Sequence, residues 1–196
     1  MSRLILIRHA EPVEDARGLC YGTLDFGLSP AGLEQAQRLS VPACDAVYAS
    51  PRRRAQETAQ PLAAALGLDV LVDDDLREID FGDFEGRRYE EIEQAEPELY
   101  RAWMESPTTV RFPNGESYAD VRARALAAFG RIRAAHACAV VVTHGGVIRA
   151  GLAAWLEMPD EAIFRLAQDY CGVSVVDFHE DVPLVRVLNA ARTIER

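Results

Sequence analysis

Leu4-Ile5-Leu6-Ile7-Arg8-His9-Ala10-Glu11 is the stretch from which the rest of the chain can be read. Four consecutive aliphatic residues, two of them β-branched, suit a short strand buried on both faces, the kind found inside a parallel sheet. The run stops at an arginine and a histidine, so both polar side chains emerge where the strand leaves the sheet. In open α/β sheets that carboxyl edge is where ligands bind. An arginine that keeps its charge, beside an imidazole able to act as a nucleophile, suits an anionic substrate.

The same pattern returns late in the chain. Ala139-Val140-Val141-Val142-Thr143 reads as a second buried strand and ends at His144-Gly145-Gly146-Val147-Ile148-Arg149. Two glycines let the backbone turn closely into a helix whose first amides can face an anion. One strand-end histidine is ordinarily structural; two with matching surroundings point to function.

Between them lie alternating strand and helix signals. Residues 10–28, with Pro12, Gly18, Gly22 and Gly27, read as a loop. Ser29-Pro30 opens a helix to about Leu39, serine as N-cap and proline in the first turn. Asp45–Ala49 is a short strand, and Ser50-Pro51 is read as the cap of a helix from Arg52 to Leu66. Arg52, Arg53 and Arg54 then occupy a first turn where the helix dipole disfavours cations. An anion clamp explains them better than a solvated charged turn does. Val70–Val72 is a third strand candidate, and Asp73-Asp74-Asp75 after it is read as a solvated turn rather than a metal site.

Leu76 to Gly86 carries four carboxylates after Arg77 (Glu78, Asp80, Asp83 and Glu85) among apolar anchors. One of them could serve as a general acid, and the residues alone do not choose which. Residues 87–113 are read as an insertion of two short helices broken at Pro97, forming a cap over the cleft. Ser117-Tyr118-Ala119-Asp120 resembles a capping box and opens a helix to about Ala135. Gly172–Phe178 and Leu184–Leu188 are the last strand candidates, joined through His179. His136 and His179 are expected to be exposed and without a role. The whole reads as one α/β domain over 1–196: three layers, α/β/α, with a mostly parallel central sheet and a small helical cap.

Composition narrows the function. Hydrophobic residues make up 49% and charged residues 27% of the 196, as in a globular protein. A net charge of −10 argues against nucleic acid or an acidic membrane as partner. All 21 basic residues are arginine, which excludes a Schiff-base or P-loop lysine. Cys20, Cys44, Cys138 and Cys171 form no Cys-x-x-Cys pair, so incidental thiols in a reduced, cytoplasmic protein are expected. No run approaches a membrane span, and the first strand begins too early to leave room for a signal peptide. Gly-x-Gly-x-x-Gly, Gly-x-Ser-x-Gly and His-Glu-x-x-His are all absent. Two histidines, several arginines, a carboxylate and a helix N-terminus suit metal-free phosphoryl transfer to histidine, with arginines neutralising the oxygens.

Taken together these residues resemble the histidine phosphatase superfamily, which includes cofactor-dependent phosphoglycerate mutases, along nearly the whole chain. Arg8-His9-Ala10-Glu11 is similar to the family's Arg-His-Gly-Glu signature, SPRRRAQETA (50–59) to its arginine motif, Leu76-Arg77-Glu78 to its proton-donor segment, and Thr143-His144-Gly145-Gly146 to its second-histidine motif. The resemblance implies that His9 is the nucleophile and Glu78 the proton donor and later the base. Arg8, Arg54, His144 and the Gly145 amide would hold the phosphoryl oxygens. Neither a metal nor another cofactor is implied.

Two positions depart from the pattern: Ala10 replaces a glycine, and Asp15 stands near where many members have an asparagine that touches phosphate. The stretch Gly18–Asp25 (GLCYGTLD) is similar to that of α-ribazole phosphatases, which makes Tyr21 and Gly22 candidate substrate contacts. The expected activity is therefore hydrolysis of a small phosphate ester, with α-ribazole 5′-phosphate the leading substrate. A broad-specificity phosphatase or a phosphoglycerate mutase is the alternative. The short tail after the last strand, ending Ile194-Glu195-Arg196, favours hydrolase over mutase. A metal-dependent phosphatase built on Asp73–Asp75, or a binding module without turnover, is less favoured. Monomer and homodimer are both open.

Overall fold

A computed structural model describes residues 1–191; Ile194–Arg196, on which the short-tail expectation rests, lie outside the described residues. The opening run becomes β1 (Ser2–Arg8), and Leu4 to Ile7 are all 0% exposed. Strand alternation sends Leu4 and Leu6 to one face and Ile5 and Ile7 to the other, so each face meets its own apolar cluster.

β1 lies between β4 (Cys138–Thr143) and β5 (Gly172–His179) in a six-stranded sheet. With β2 (Ala46–Ala49), β3 (Val70–Val72) and β6 (Val182–Ala191), the order is β3-β2-β4-β1-β5-β6. The β3–β2, β2–β4 and β4–β1 pairings are parallel, while β5 and β6 add an antiparallel edge.

Helices cover both faces. α1 (Pro30–Gln37) and α2 (Arg53–Leu66) pack over Ile5, Ile7, Val140 and Val142. α5 (Tyr118–Ala135) and α6 (Gly145–Trp155) pack over Leu4, Leu6 and Val141. The caps form where expected at Ser29, whose hydroxyl accepts from the Gly32 amide at 2.9 Å, and at Ser117 with Asp120. The expected cap at Ser50 does not: Arg52 holds the N-cap position of α2 without a side-chain bond, and Ser50 is used elsewhere.

Residues 87–113 contain α3 (Tyr89–Ala95) and α4 (Pro97–Glu105), which close on a third cluster of Cys20, Phe84, Ile92, Trp103, Val110 and Phe112. This segment is tied to the loop after β1 by the Leu19–Arg88 bridge and by the Cys20 amide donating to Arg87 O at 3.0 Å. Asp73 caps the turn that follows β3, and Arg131 pairs with Asp73 and Asp75. His136 is half-buried rather than exposed, its Nε2 3.1 Å from the Tyr48 hydroxyl. Among the described residues no helix is long and apolar enough to cross a membrane.

Candidate active site

Register brings the two histidines together. Arg8 pairs with Thr143 in the parallel β1–β4 ladder, so the next residue of each strand, His9 and His144, leaves the same edge side by side. Their ring centroids are 5.1 Å apart, His9 is 2% exposed and His144 is 0% exposed. β2 ends at this edge too, Ala49 opposite Val142, and delivers Ser50 and the first turn of α2.

His9 Nδ1 lies 2.7 Å from Ala10 O. A carbonyl can only accept, so Nδ1 carries the proton and Nε2 keeps its lone pair. Burial, reinforced by the charges of Arg54 and Arg8, holds His9 well below the usual imidazole range. It is therefore neutral at neutral pH. The Ala10 amide donates to Thr58 Oγ1 at 2.9 Å, and Ala10 is fully buried within the α1–α2 core. Glu11 turns away to the start of α1, where its Oε1 accepts from the Ser29 hydroxyl at 2.9 Å. Asp15 lies exposed in a short 3₁₀ turn.

His144 is fixed by Ser50, whose Oγ lies 2.7 Å from Nε2. Ser50 Oγ also accepts from the Arg52 amide at 3.2 Å, so its own proton is available for Nε2. That assigns the His144 proton to Nδ1, which has no acceptor among the described residues. Burial and then Arg54 and His9 push His144 well below the usual range, leaving it neutral as well.

The three arginines of the SPRRR stretch separate. Arg54 is 0% exposed, its guanidinium donating to Leu24 O at 2.8 Å and Gly22 O at 3.1 Å. Arg53 points outward to Glu57 at 2.6 Å. Arg52 is half-buried with its Nε unpaired, and its charge reaches His144. Arg8 donates to Gln168 O and stacks on Tyr170 at 4.2 Å.

Glu78 reaches the start of α6, its Oε2 accepting from the Gly146 amide at 3.3 Å. A Cβ on Gly146 would lie 2.4 Å from Glu78 Oε1, so only glycine lets the carboxylate come this close. Arg124 steadies the Glu78 segment from beneath, donating to Asp75 O, Arg77 O and Glu78 O while paired with Glu116. Gly145 opens α6 beside Arg8 and Arg149.

Tyr170 and Gln168 carry no signal in their local sequence, and Glu85 carries none that separates it from the other three carboxylates. Glu85 gathers the amides of Gly22, Thr23, Leu24 and Phe81 on one carboxylate, at 2.9 to 3.4 Å. The carbonyls of residues 22 and 24 are the ones Arg54 binds. Gly22 is thus engaged at both N–H and C=O and serves to hold Arg54; a Cβ there would lie 1.6 Å from Ile79 O. Tyr21 lies over the Arg54 guanidinium at 5.0 Å. Burial, together with its bond to Tyr170, raises the Tyr21 hydroxyl well above the usual tyrosine range. Cys171 adopts the left-handed region (φ 56°) and its amide donates to Arg8 O at 3.0 Å, a sharp turn that sets Tyr170 against Arg8. The Gln168 amide is 5% exposed with neither polar atom paired. A cavity of about 930 Å³ is lined by Tyr21, Tyr89 and Tyr170 with Leu19, Glu14 and Arg17. His9 and Arg54 do not line it, but Tyr21 and Tyr170 connect it to them.

Comparison with known proteins agrees with this arrangement. Residues 4–191 match the histidine phosphatase superfamily, branch 1. The chain is 35% identical to phosphoserine phosphatase 1 of Hydrogenobacter thermophilus over 96% of its length and 92% of that protein. It is 31% identical to the adenosylcobalamin/α-ribazole phosphatase of Escherichia coli K12, covering 96% of each. The crystal structure of the α-ribazole phosphatase from Shigella flexneri superposes with a TM-score of 0.87 at 31% identity, over 99% of this chain and 100% of that one. With two neutral histidines, Arg8, the buried Arg54 and Glu78 at one sheet edge, the chain belongs to the histidine phosphatase superfamily, branch 1, as a phosphomonoesterase.

Proposed function

We propose that the protein hydrolyses its phosphomonoester through a phosphohistidine formed on His9. The observation that carries this reading is a cluster of buried, unpaired polar atoms around a neutral imidazole. Among the described residues, Arg8 Nε, Arg52 Nε, Arg54 Nε, His144 Nδ1 and both Gln168 amide atoms are buried without a partner, and Tyr118 Oη alone is in the same condition elsewhere. Buried donors are nearly always satisfied, because leaving one unpaired costs about 1–3 kcal/mol. Phosphoryl oxygens are the acceptors that suit the five donors of this set, Gln168 Oε1 being itself an acceptor.

In the first step His9 Nε2 attacks phosphorus in line, while Glu78 protonates the departing oxygen. Arg8, Arg54, His144 Nδ1–H and the Gly145 amide hold the equatorial oxygens. In the second step Glu78, now a carboxylate, takes a proton from water, which cleaves the P–N bond and returns His9 to its starting form. A neutral nucleophile and fixed cations need little reorganisation as charge develops. We read the chain as one domain in which residues 87–113 cover the cleft and contribute Tyr89 to its wall.

The substrate we assign is α-ribazole 5′-phosphate, whose leaving group is nucleoside-sized. A cavity of about 930 Å³ walled by three tyrosines has room and aromatic faces for a ribose and a planar base. The similarity to the E. coli and Shigella enzymes supports the same choice. The second reading is phosphoserine, favoured by the 35% identity to the Hydrogenobacter enzyme.

The deciding experiment compares kcat/KM for α-ribazole 5′-phosphate, phosphoserine and p-nitrophenyl phosphate in EDTA, with His9→Ala as blank. The expected result is a preference for the nucleotide of about 10²-fold or more and turnover in His9→Ala below roughly 10⁻³ of wild type. Faster hydrolysis of phosphoserine would transfer the assignment to the second reading. Undiminished turnover in His9→Ala would overturn the phosphohistidine route.

A further inference from the structure

At the opposite edge of the sheet from the histidines, two thiols meet. Cys44, just ahead of β2, and Cys138, the first residue of β4, hold their Sγ atoms 2.7 Å apart. That is the length of a short N–H···O bond, here between larger atoms. The backbone keeps them there: the Asp45 amide donates to Cys138 O at 2.8 Å, the Cys138 amide donates to Asp45 Oδ2 at 2.9 Å, and Ala46 pairs with Ala139 one step on. Neighbouring strands lie about 4.8 Å apart, and a one-residue stagger leaves the two Cα atoms within the range a disulfide spans.

The pair is also polarised. Cys44 Sγ lies 3.3 Å from Pro42 O, and its hydrogen bond with Cys138, followed by burial, raises its thiol far above the usual range. Cys138 is shifted the other way, first by the hydrogen bond from Cys44 and, against its burial, by the charge of Arg3; Asp45 and Asp177 oppose this. Both residues are half-buried, open enough for a small oxidant, whereas Cys20 and Cys171 are 1% and 0% exposed. No step of phosphoryl transfer at His9 involves either sulfur.

We propose that Cys44 and Cys138 form a peroxide-reactive dithiol that closes to a disulfide joining β2 to β4. The Cys138 thiolate attacks one peroxide oxygen; the O–O bond breaks, Cys138 becomes a sulfenic acid, and hydroxide leaves and takes up a proton. The Cys44 sulfur then displaces the sulfenic oxygen, forming the S–S bond, and that oxygen departs as water with the Cys44 proton. Two electrons pass from the sulfurs to the peroxide, and hydrogen peroxide is reduced to two waters. The link ties together residues 94 apart, so it restricts the unfolded chain more than the folded one.

The test treats the whole protein with hydrogen peroxide and follows thiols, mass and melting. The expected result is loss of two of the four thiols, a mass lower by about 2 Da, and a Cys44–Cys138 linked peptide in a non-reducing map. The melting temperature is expected to rise by roughly 10 °C and to return on adding dithiothreitol. Cys44→Ser, whose retained phosphatase turnover shows that it is folded, should accumulate a sulfenic acid that dimedone traps on Cys138. Survival of all four thiols, a linkage through Cys20 or Cys171, or dimedone label on Cys44 in Cys138→Ser with none on Cys138 in Cys44→Ser would overturn the proposal.

Discussion

Gly146 shows how much one missing side chain decides. Glu78 can approach the first turn of α6 only because nothing projects from residue 146, where a methyl carbon would stand 2.4 Å from Oε1. Gly146→Ala is therefore expected to displace Glu78, the proposed proton donor, while leaving the groups proposed to hold phosphate in place. Loss of about 10²-fold in kcat with KM within a few-fold of wild type would be the signature, read from steady-state kinetics. An unchanged kcat would show that Glu78 has room to withdraw without cost. Gly145 differs, since a methyl there meets the end of the Arg149 guanidinium at 3.1 Å, a flexible neighbour able to shift.

At the scale of an element, the loop from Tyr21 to Asp25 is held open by Glu85 rather than by its own turn chemistry. One carboxylate binds the amides of residues 22, 23 and 24, which turns the carbonyls of 22 and 24 toward Arg54. Glu85 acts through Arg54 and is a positioning residue. Glu85→Gln presents a single acceptor oxygen and sets an NH₂ group against backbone amides, so the loop should loosen around Arg54. Inhibition by inorganic phosphate is expected to weaken about tenfold and kcat/KM to fall by a larger factor, with Glu85→Asp restoring part of both. Loss of melting temperature with full phosphate affinity would reduce Glu85 to a structural role. Between residues 87 and 113, α3 and α4 gather their aromatics around Trp103, which stacks on Tyr89 at 5.6 Å and meets Phe112 edge-on at 5.1 Å. Those residues form a small core of their own, and Tyr89 also reaches the cavity.

For the whole molecule, buried titratable groups set an acid limit. His9 and His144 are neutral when folded because burial and nearby arginines depress them, whereas in the unfolded chain they take up protons near pH 6.5. Below that pH the unfolded state binds protons the folded state refuses, so stability is lost as pH falls, by up to about 1.4 kcal/mol per pH unit for each histidine. A second loss follows among carboxylates. Burial alone would raise Glu116, but Arg124, the Asp80 amide and Arg77 outweigh it and hold it below its usual range. Asp177 is lowered by its bond to Arg3, with Arg186 adding to it. Stability carried by these two groups is present above the unfolded carboxylate range and lost as pH falls through their folded values. Urea midpoints from pH 8 to 4 should be level above about pH 7 and decline progressively below it. In His144→Gln the decline beginning near pH 6.5 should be shallower; an identical slope would contradict burial of a neutral histidine.

Much of the fold and about half of the site were legible in the chain itself. β1 and β4 announce themselves as apolar runs ended by histidine, and the caps at Ser29 and Ser117 depend on residues three positions away. Those signals are local, so neighbouring residues determine them. What only the tertiary structure decided is whatever joins distant segments: Ser50 against His144, Glu85 beneath residues 22–24, Tyr170 on Arg8, Cys44 against Cys138. Ser50 followed by proline looks like a helix cap until the parallel register of β2 on β4 places it beside an imidazole. Strand order and register are global properties, set by how all the apolar faces are buried together, and no short window of sequence contains them.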